Sequence, residues 1–506
     1  MERKELSRRD FLRLSAAAAT GTIIAACAPA ATPVVVEKEV IKEVPVEKPV
    51  VVEKEVVKEV EKEVAVEKVV KETVVVEKEV VKEVLAKPEK AVVTFWVEAP
   101  AEERRTVINE LYRDTFNAAH PNIELDLTYT EDLDRVLRTA MQAGAGPDIV
   151  STPGAGFILE YVIAGHVTPM DDLAARYGWR DRLLPWAYES GVVQGHLYSV
   201  PLTYESMIVF YNKTLFEAKG WDIPTNREEL EDLFDACVAD DIHPFEYTNS
   251  GWKPATEHLI GMYYDHYAGA DNVYKALIGE KKWTDDEFVE AMALMNDWFQ
   301  KGYYSGSIDN YHALTGEDTW SMLANGTGAM MMTGTWSFQT VGEYFEESGQ
   351  EWDWFPMPSL REGVKAVYAL ATGQTESVNA KSKYQVETGA ALDWLYNDKK
   401  RALKISSSFN FGEWMVPLHY TADDFPAGTD PRVVRFFVDF AKVTGRGDYG
   451  YTTWTFWPAK TEVFLWEEYD AVLAGEMTPA EYQARAQELF DEEEAEGKVP
   501  PVPKRY

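Results

Sequence analysis

Residues 34–86 are almost entirely valine, glutamate and lysine, and this stretch limits the fold more than any other feature. Val34-Val35-Val36-Glu37-Lys38-Glu39-Val40 nearly recurs at Val50-Val51-Val52-Glu53-Lys54-Glu55-Val56. It recurs again at Val74-Val75-Val76-Glu77-Lys78-Glu79-Val80. With no aromatic residue and hardly any other apolar type, the segment cannot build a core of its own. Valines four apart could line a helix, but Pro45 and Pro49 oppose one early and valine is a mediocre helix former. The reading is a spacer, about 150 Å long as polyproline II or about 80 Å as a helix. The alternatives are a segment folded onto the rest of the chain or a coiled coil with another chain.

Everything able to fold around a core therefore lies after residue 90. All 16 tryptophans fall there, and the remaining length is too great for one core, which predicts two lobes. Val92-Val93-Thr94-Phe95-Trp96-Val97 reads as a buried strand, residues 106–119 as a helix, and Ile123-Glu124-Leu125-Asp126-Leu127 as a second strand. Residues 133–143 read as helix and Asp148-Ile149-Val150 as a third strand. Such alternation predicts an α/β sheet with crossover helices. Beyond about residue 280, helical patterns dominate, as at 288–299 and 385–396.

The N-terminus reads as an export signal. Arg3, Lys4, Arg8, Arg9 and Arg13 precede an apolar run from Leu14 to Ala26 that is too short for a permanent membrane span. Ser7-Arg8-Arg9-Asp10-Phe11-Leu12 resembles a twin-arginine motif. Ile24-Ala25-Ala26-Cys27 resembles a bacterial lipobox, with Cys27 as the acyl acceptor; the alternative is a plain signal peptide that contains a cysteine. Acyl chains anchor through about 0.8 kcal/mol per buried methylene. The only other cysteine, Cys237, sits in a helical apolar pattern and is expected to be a buried, inert thiol. The sequence shows no metal-site spacing, and no cofactor is expected. A formal net charge of −35 argues against nucleic-acid binding.

Several segments, in order, resemble the family 1 extracellular solute-binding proteins of ABC importers, the group that includes maltose-binding protein. These are Phe116-Asn117-Ala118-Ala119-His120-Pro121-Asn122-Ile123, Gly146-Pro147-Asp148-Ile149-Val150, and Gly165-His166-Val167-Thr168-Pro169-Met170-Asp171-Asp172-Leu173. Gly195-His196-Leu197-Tyr198-Ser199-Val200-Pro201 follows, continuing through Phe210-Tyr211-Asn212-Lys213 to Ile223-Pro224-Thr225-Asn226, where family members usually have tryptophan in place of Asn226. Ala324-Asn325-Gly326-Thr327-Gly328-Ala329-Met330, Gly334-Thr335-Trp336, Phe355-Pro356-Met357-Pro358 and Gly475-Glu476-Met477-Thr478-Pro479-Ala480-Glu481 complete the set. The resemblance implies a two-lobed periplasmic-binding-protein-like α/β fold with hinged lobes and a central ligand cleft. It places a signal peptide at 1–26, the lipidated stalk at 27–90, one lobe at 91–203 plus 372–397, and the other at 206–366 plus 400–495. The crossings would lie near Thr203–Ser206, Val367–Gly373 and Asn397.

The implied function is capture of a mono- or oligosaccharide for an ABC permease by a monomer on the outer face of the cytoplasmic membrane, anchored through Cys27. Trp336 matches a sugar-stacking tryptophan, and its glycine-flanked position lets a strand end present the ring. Glu205 matches a carboxylate that accepts hydroxyl protons, with Tyr204 as an adjacent wall. Thr152 and Glu98 follow strand carboxyl ends, where open α/β sheets bind ligands. Asn249, Trp252 and Trp454, with Trp457 beside it, are further candidates. Ala99-Pro100-Ala101 does not reproduce the charged pair of maltose-binding protein, which speaks against maltose. A secreted, lipid-anchored glycoside hydrolase is the enzymatic alternative and would need two carboxylates about 5–10 Å apart. The sequence has no GxSxG, HExxH or Walker loop. A surface adhesin is the structural alternative, suggested by the stalk.

Overall fold

The computed structural model describes residues 90–250 and 256–505. The readings of the export signal, Cys27 and the spacer, and that of Trp252, lie outside the described residues. In chain order the strands are β1 (Ala91–Glu98), β2 (Ile123–Thr130), β3 (Ile149–Thr152), β4 (Val167–Thr168), β5 (Val192–Val193), β6 (His196–Leu197), β7 (Val200–Glu205), β8 (Met207–Asn212), β9 (His243–Phe245), β10 (Gly328–Gly334), β11 (Trp352–Phe355), β12 (Ala369–Asn379) and β13 (Gly450–Tyr451).

β1 buries Val93, Phe95 and Val97 on one face, as its alternation dictates. It pairs in parallel with β2 from Ala91↔Ile123 to Glu98↔Thr130, and with β3 at Phe95↔Ile149. Parallel pairing needs a crossover, supplied by the helical segment from Glu102 to Ala119, which includes a π turn at Asn109–Asp114. The first sheet runs β13-β12-β3-β1-β2, with β4 and β7 also on β12. The second runs β11-β8-β10-β9. Each sheet is the centre of one lobe of the two-lobed α/β fold.

The lobes share a strand. β7 belongs to the first sheet and β8 to the second, with only Ser206 between them. A return passage runs through residues 356–368, between β11 and β12. The expected crossing near Asn397 is absent. Asn397 ends the helix Gln385–Tyr396, and the next helix, Lys399–Ser407, packs on that helix and on Asn109–Asp114 of the first lobe. Asp398 caps it by accepting from Lys400 N (2.9 Å) and Arg401 N (3.2 Å), while Arg401 stacks 4.3 Å over Trp394. The sequence boundary at residue 400 therefore falls too early, because the cap restarts a helix on the same lobe.

Between the lobes lies an aromatic core. Helix Pro431–Thr444 buries Phe436, Phe437 and Phe440. Phe440 stacks on Tyr204 at 5.1 Å and meets Trp186 at 6.1 Å on the first-lobe side. Phe436 meets Trp354 at 5.7 Å and Phe338 at 5.9 Å on the other. Burying each such ring contributes about 1.5–3 kcal/mol. Cys237 is buried, and its thiol is pushed up to about 12 by that burial.

The Tyr211-Asn212-Lys213 motif has a physical basis. Asn212 is buried at the end of β8 and caps the helix Lys213–Lys219, accepting from Leu215 N at 2.9 Å. Its amide also donates to Leu323 O (2.9 Å) and Gln350 Oε1 (2.6 Å). Asn212→Ala removes a cap and strands the buried Leu323 carbonyl and the half-buried Gln350 amide oxygen, so it is expected to cost about 2–4 kcal/mol. Urea unfolding checks this; a loss too small to resolve would show that water replaces the amide.

Candidate functional site

β10 ends at Gly334, and the chain turns into the short 3-10 helix Thr335–Gln339. The turn is tied to the shared strand in both directions. Thr335 N donates to Ser206 O at 2.9 Å, and Ser206 N donates to Thr335 Oγ1 at 3.3 Å. Met207 pairs with Gly334, so this exchange sits where the β8–β10 ladder ends and β7 leaves for the first sheet. The half-buried Trp336 ring folds back over Gly334; a Cβ there would lie 1.9 Å from the ring. Only glycine permits that approach.

Trp454 comes from the single helical turn Thr453–Phe456, which packs on β12 and on helix Ala155–Ile163 of the first lobe. Its ring meets that of Trp336 at 6.1 Å and 71°. His258 stands between them, 5.1 Å from Trp336 and 5.4 Å from Trp454. These separations and tilts are those of edge-to-face aromatic packing. Two residues singled out in the sequence thus meet. His258 had no sequence signal, because a lone histidine in a helical pattern looks like any other.

Glu205 ends β7 opposite Ala371, and a Cβ on Gly373 would lie 2.7 Å from its Oε1, so that glycine makes room for the carboxyl. Burial, and then the nearby Glu413 carboxylate, push Glu205 up to about 8. At pH 7 it is mostly protonated and offers a hydroxyl donor as well as an acceptor. Beside it stands Glu413, raised by burial, which in turn meets Arg104 and is hydrogen-bonded to Gln339; those two are hydrogen-bonded to each other.

The other expected residues point elsewhere. Tyr204 is a correction: strand alternation turns it away from Glu205 into the core, against Trp186, Phe437 and Phe440. Thr152 is buried and hydrogen-bonded to the Thr375 hydroxyl at 2.8 Å within the first sheet. Glu98 accepts from Leu133 N at 2.9 Å and so serves the start of helix Leu133–Ala143. Asn249 accepts from the Tyr311 hydroxyl (3.2 Å) and donates to His312 Nδ1 (3.1 Å) and Asp470 Oδ2 (3.4 Å). Trp457 is core, 5.0 Å from Trp283.

The raised carboxyl has a pH consequence. A folded-state value near 8 against the usual 4.5 means the fold favours protonated Glu205. Its contribution to stability is full below about pH 4.5 and is lost as the pH rises through 8. Glu205→Gln is therefore expected to lose less Tm than the parent between pH 5 and 8.5. Scanning calorimetry at several pH values checks this; parallel curves would refute the assignment.

A family model described as bacterial extracellular solute-binding protein matches residues 98–402. A multiple sugar-binding protein of Streptococcus mutans serotype c is 24% identical over 311 residues, spanning 60% of this chain and 70% of that one. The alpha-glucosides-binding periplasmic protein AglE of Rhizobium meliloti is 27% identical over 150 residues, 27% of this chain and 32% of that one. Among solved structures, a chitin oligosaccharide binding protein superposes with a TM-score of 0.66 at 18% identity, over 80% of this chain and 100% of that one. The sugar-binding protein MalE from Xanthomonas citri gives 0.64 at 17% identity, over 81% and 98%. The likeness to the solved structures is one of fold, whereas the family match spans both sheets, and the chain belongs to the bacterial extracellular solute-binding protein family.

Proposed function

We propose that this chain captures a mono- or oligosaccharide between its lobes and delivers it to the permease of an ABC importer. The observation that carries the reading is the Trp336–His258–Trp454 cluster, where a sheet end of one lobe meets a turn held on the other. Sugar rings pack their C–H faces on flat aromatic rings while their hydroxyls take polar partners. Glu205, at the end of β7, would supply one such polar partner. The relatives named for binding multiple sugars and alpha-glucosides support the same ligand class. A ligand that touches both lobes favours the closed arrangement by its extra contacts there. Members of this family bind substrates without transforming them, and the same role is proposed here.

The reading extends to the N-terminal region. Export by a twin-arginine route and acylation at Cys27 would hold a monomer at the outer face of the membrane, with the valine-glutamate-lysine segment as spacer. Among the described residues, no helix is long and apolar enough to cross a membrane.

A thermal-shift screen of sugars and polyols is expected to find a stabilising ligand, by about 2.7 kcal/mol at a hundredfold excess over Kd. The bound sugar is expected back unchanged, and hydrolysis of a chromogenic glycoside would favour the glycosidase alternative. Trp336→Ala and Trp454→Ala are each expected to weaken binding about 10–100-fold, the worth of one buried ring, at unchanged ligand-free Tm. Titration calorimetry reads both. Normal affinity in Trp336→Ala would remove it from the site.

A further inference from the structure

Gln339, the last residue of the turn that carries Trp336, is held from three sides. Arg104 Nη1 donates to its Oε1, Asn410 Nδ2 donates to its backbone oxygen at 3.2 Å, and Glu413 is hydrogen-bonded to its side chain. Arg104 belongs to helix Glu102–Ile108, directly after β1 in the first lobe, and its guanidinium lies 4.8 Å over Phe409. Gln339 follows β10 in the second lobe. The Arg104–Gln339 bond therefore spans the lobes.

Behind it lies an unusual backbone. Asn410, Phe411 and Trp414 have φ of 47°, 63° and 55°. That region is uncommon for asparagine and a real outlier for phenylalanine and tryptophan. Such conformations persist only where the surroundings over-determine them, and they gather at binding and switching sites. The segment is pinned at both ends to the first lobe and the shared strand. Phe411 N donates to Ser406 O (2.9 Å), Ser406 Oγ donates to Glu413 O (2.8 Å), and Trp414 N donates to Thr203 Oγ1 (3.1 Å). Its middle presses on the Trp336 turn so closely that a Cβ on Gly412 would lie 2.6 Å from Trp336 O and 2.5 Å from Gln339 Cγ.

We propose that Arg104 and Gln339 form a latch across the cleft, backed by the strained segment Asn410–Trp414, that positions Trp336 and holds the lobes closed. The two are positioning residues: they act on the ligand through Trp336, and the proposal rests on the reading of Trp336 as a sugar wall. Opening must break their bond, whereas ligand entry into an already open cleft does not use it. The latch should therefore act on ligand release.

The test uses the full chain, with maltotriose and raffinose as probes followed by stopped-flow tryptophan fluorescence. Arg104→Ala and Gln339→Ala are each expected to raise koff about tenfold and to change kon far less. The double variant should be no worse than either single, since all three remove one bond. Additive losses, or an effect on kon alone, would overturn the latch and leave the sugar reading standing if Trp336→Ala still weakens binding about 10–100-fold. Hydrogen exchange on the ligand-free chain tests the latch without any sugar. Both variants should speed exchange at residues 335–340 and 410–412 while the rest of the second sheet stays protected. Exchange like that of the parent would overturn the latch. Failure of either probe to bind the parent, with faster exchange in the variants, would sink the choice of sugar and keep the latch.

Discussion

Ser206 exchanges two hydrogen bonds with Thr335 at the point where one extended run leaves the first sheet and enters the second. Both residues are buried, and a buried backbone group left unpaired there would be costly. That exchange fixes the register of β8 on β10 at the cleft. Glu205 and Trp336 each lie one residue from that exchange, one at the end of each lobe's contribution. A slip of one residue would turn the side chains of the β8–β10 ladder to the opposite faces.

The proposed cleft wall depends on close approaches at three glycines. Gly334 lets the Trp336 ring fold back, Gly373 leaves room for the Glu205 carboxyl, and Gly412 lets a first-lobe segment press on the Trp336 turn. Each approach links a backbone choice to a side chain of the proposed site. On the far side, Phe436, Phe437 and Phe440 fill the space between the sheets with apolar surface, and Asp439 of the same helix accepts from the Tyr368 hydroxyl of the return passage at 2.8 Å. The division suits a hinged trap: an aromatic spine packs the crossings, while the proposed site lies at the sheet ends.

Much of this was legible locally. The first three strands and their helices follow from alternation and helical spacing, and Trp336 stood out because glycine precedes it by two residues. Tyr204 and Glu205 show the limit. They are neighbours in sequence, yet strand geometry sends Tyr204 to the core and Glu205 to the opposite face, and the pattern alone did not say which. Thr152 and Glu98 lie at strand ends as expected, but nearby groups claimed them first: the Thr375 hydroxyl and the Leu133 amide. Asn249 was likewise claimed by Tyr311, His312 and Asp470. The third crossing was misplaced because Asp398 caps a new helix on the lobe that the chain was expected to leave.

The sequence by itself determined where a core could form, that it would be α/β in two lobes, and which tryptophan a strand end could present. Side-chain period and backbone preference act within a few residues, so such features are written locally. Only the tertiary structure decided that Trp454 and His258 would meet Trp336, and that Arg104 would reach Gln339. Those partners come from distant segments, and close packing of the whole fold, rather than any local pattern, brings them within contact. The left-handed Phe411 and Trp414 make the same point: neither residue favours that conformation alone, and only the surrounding packing holds it.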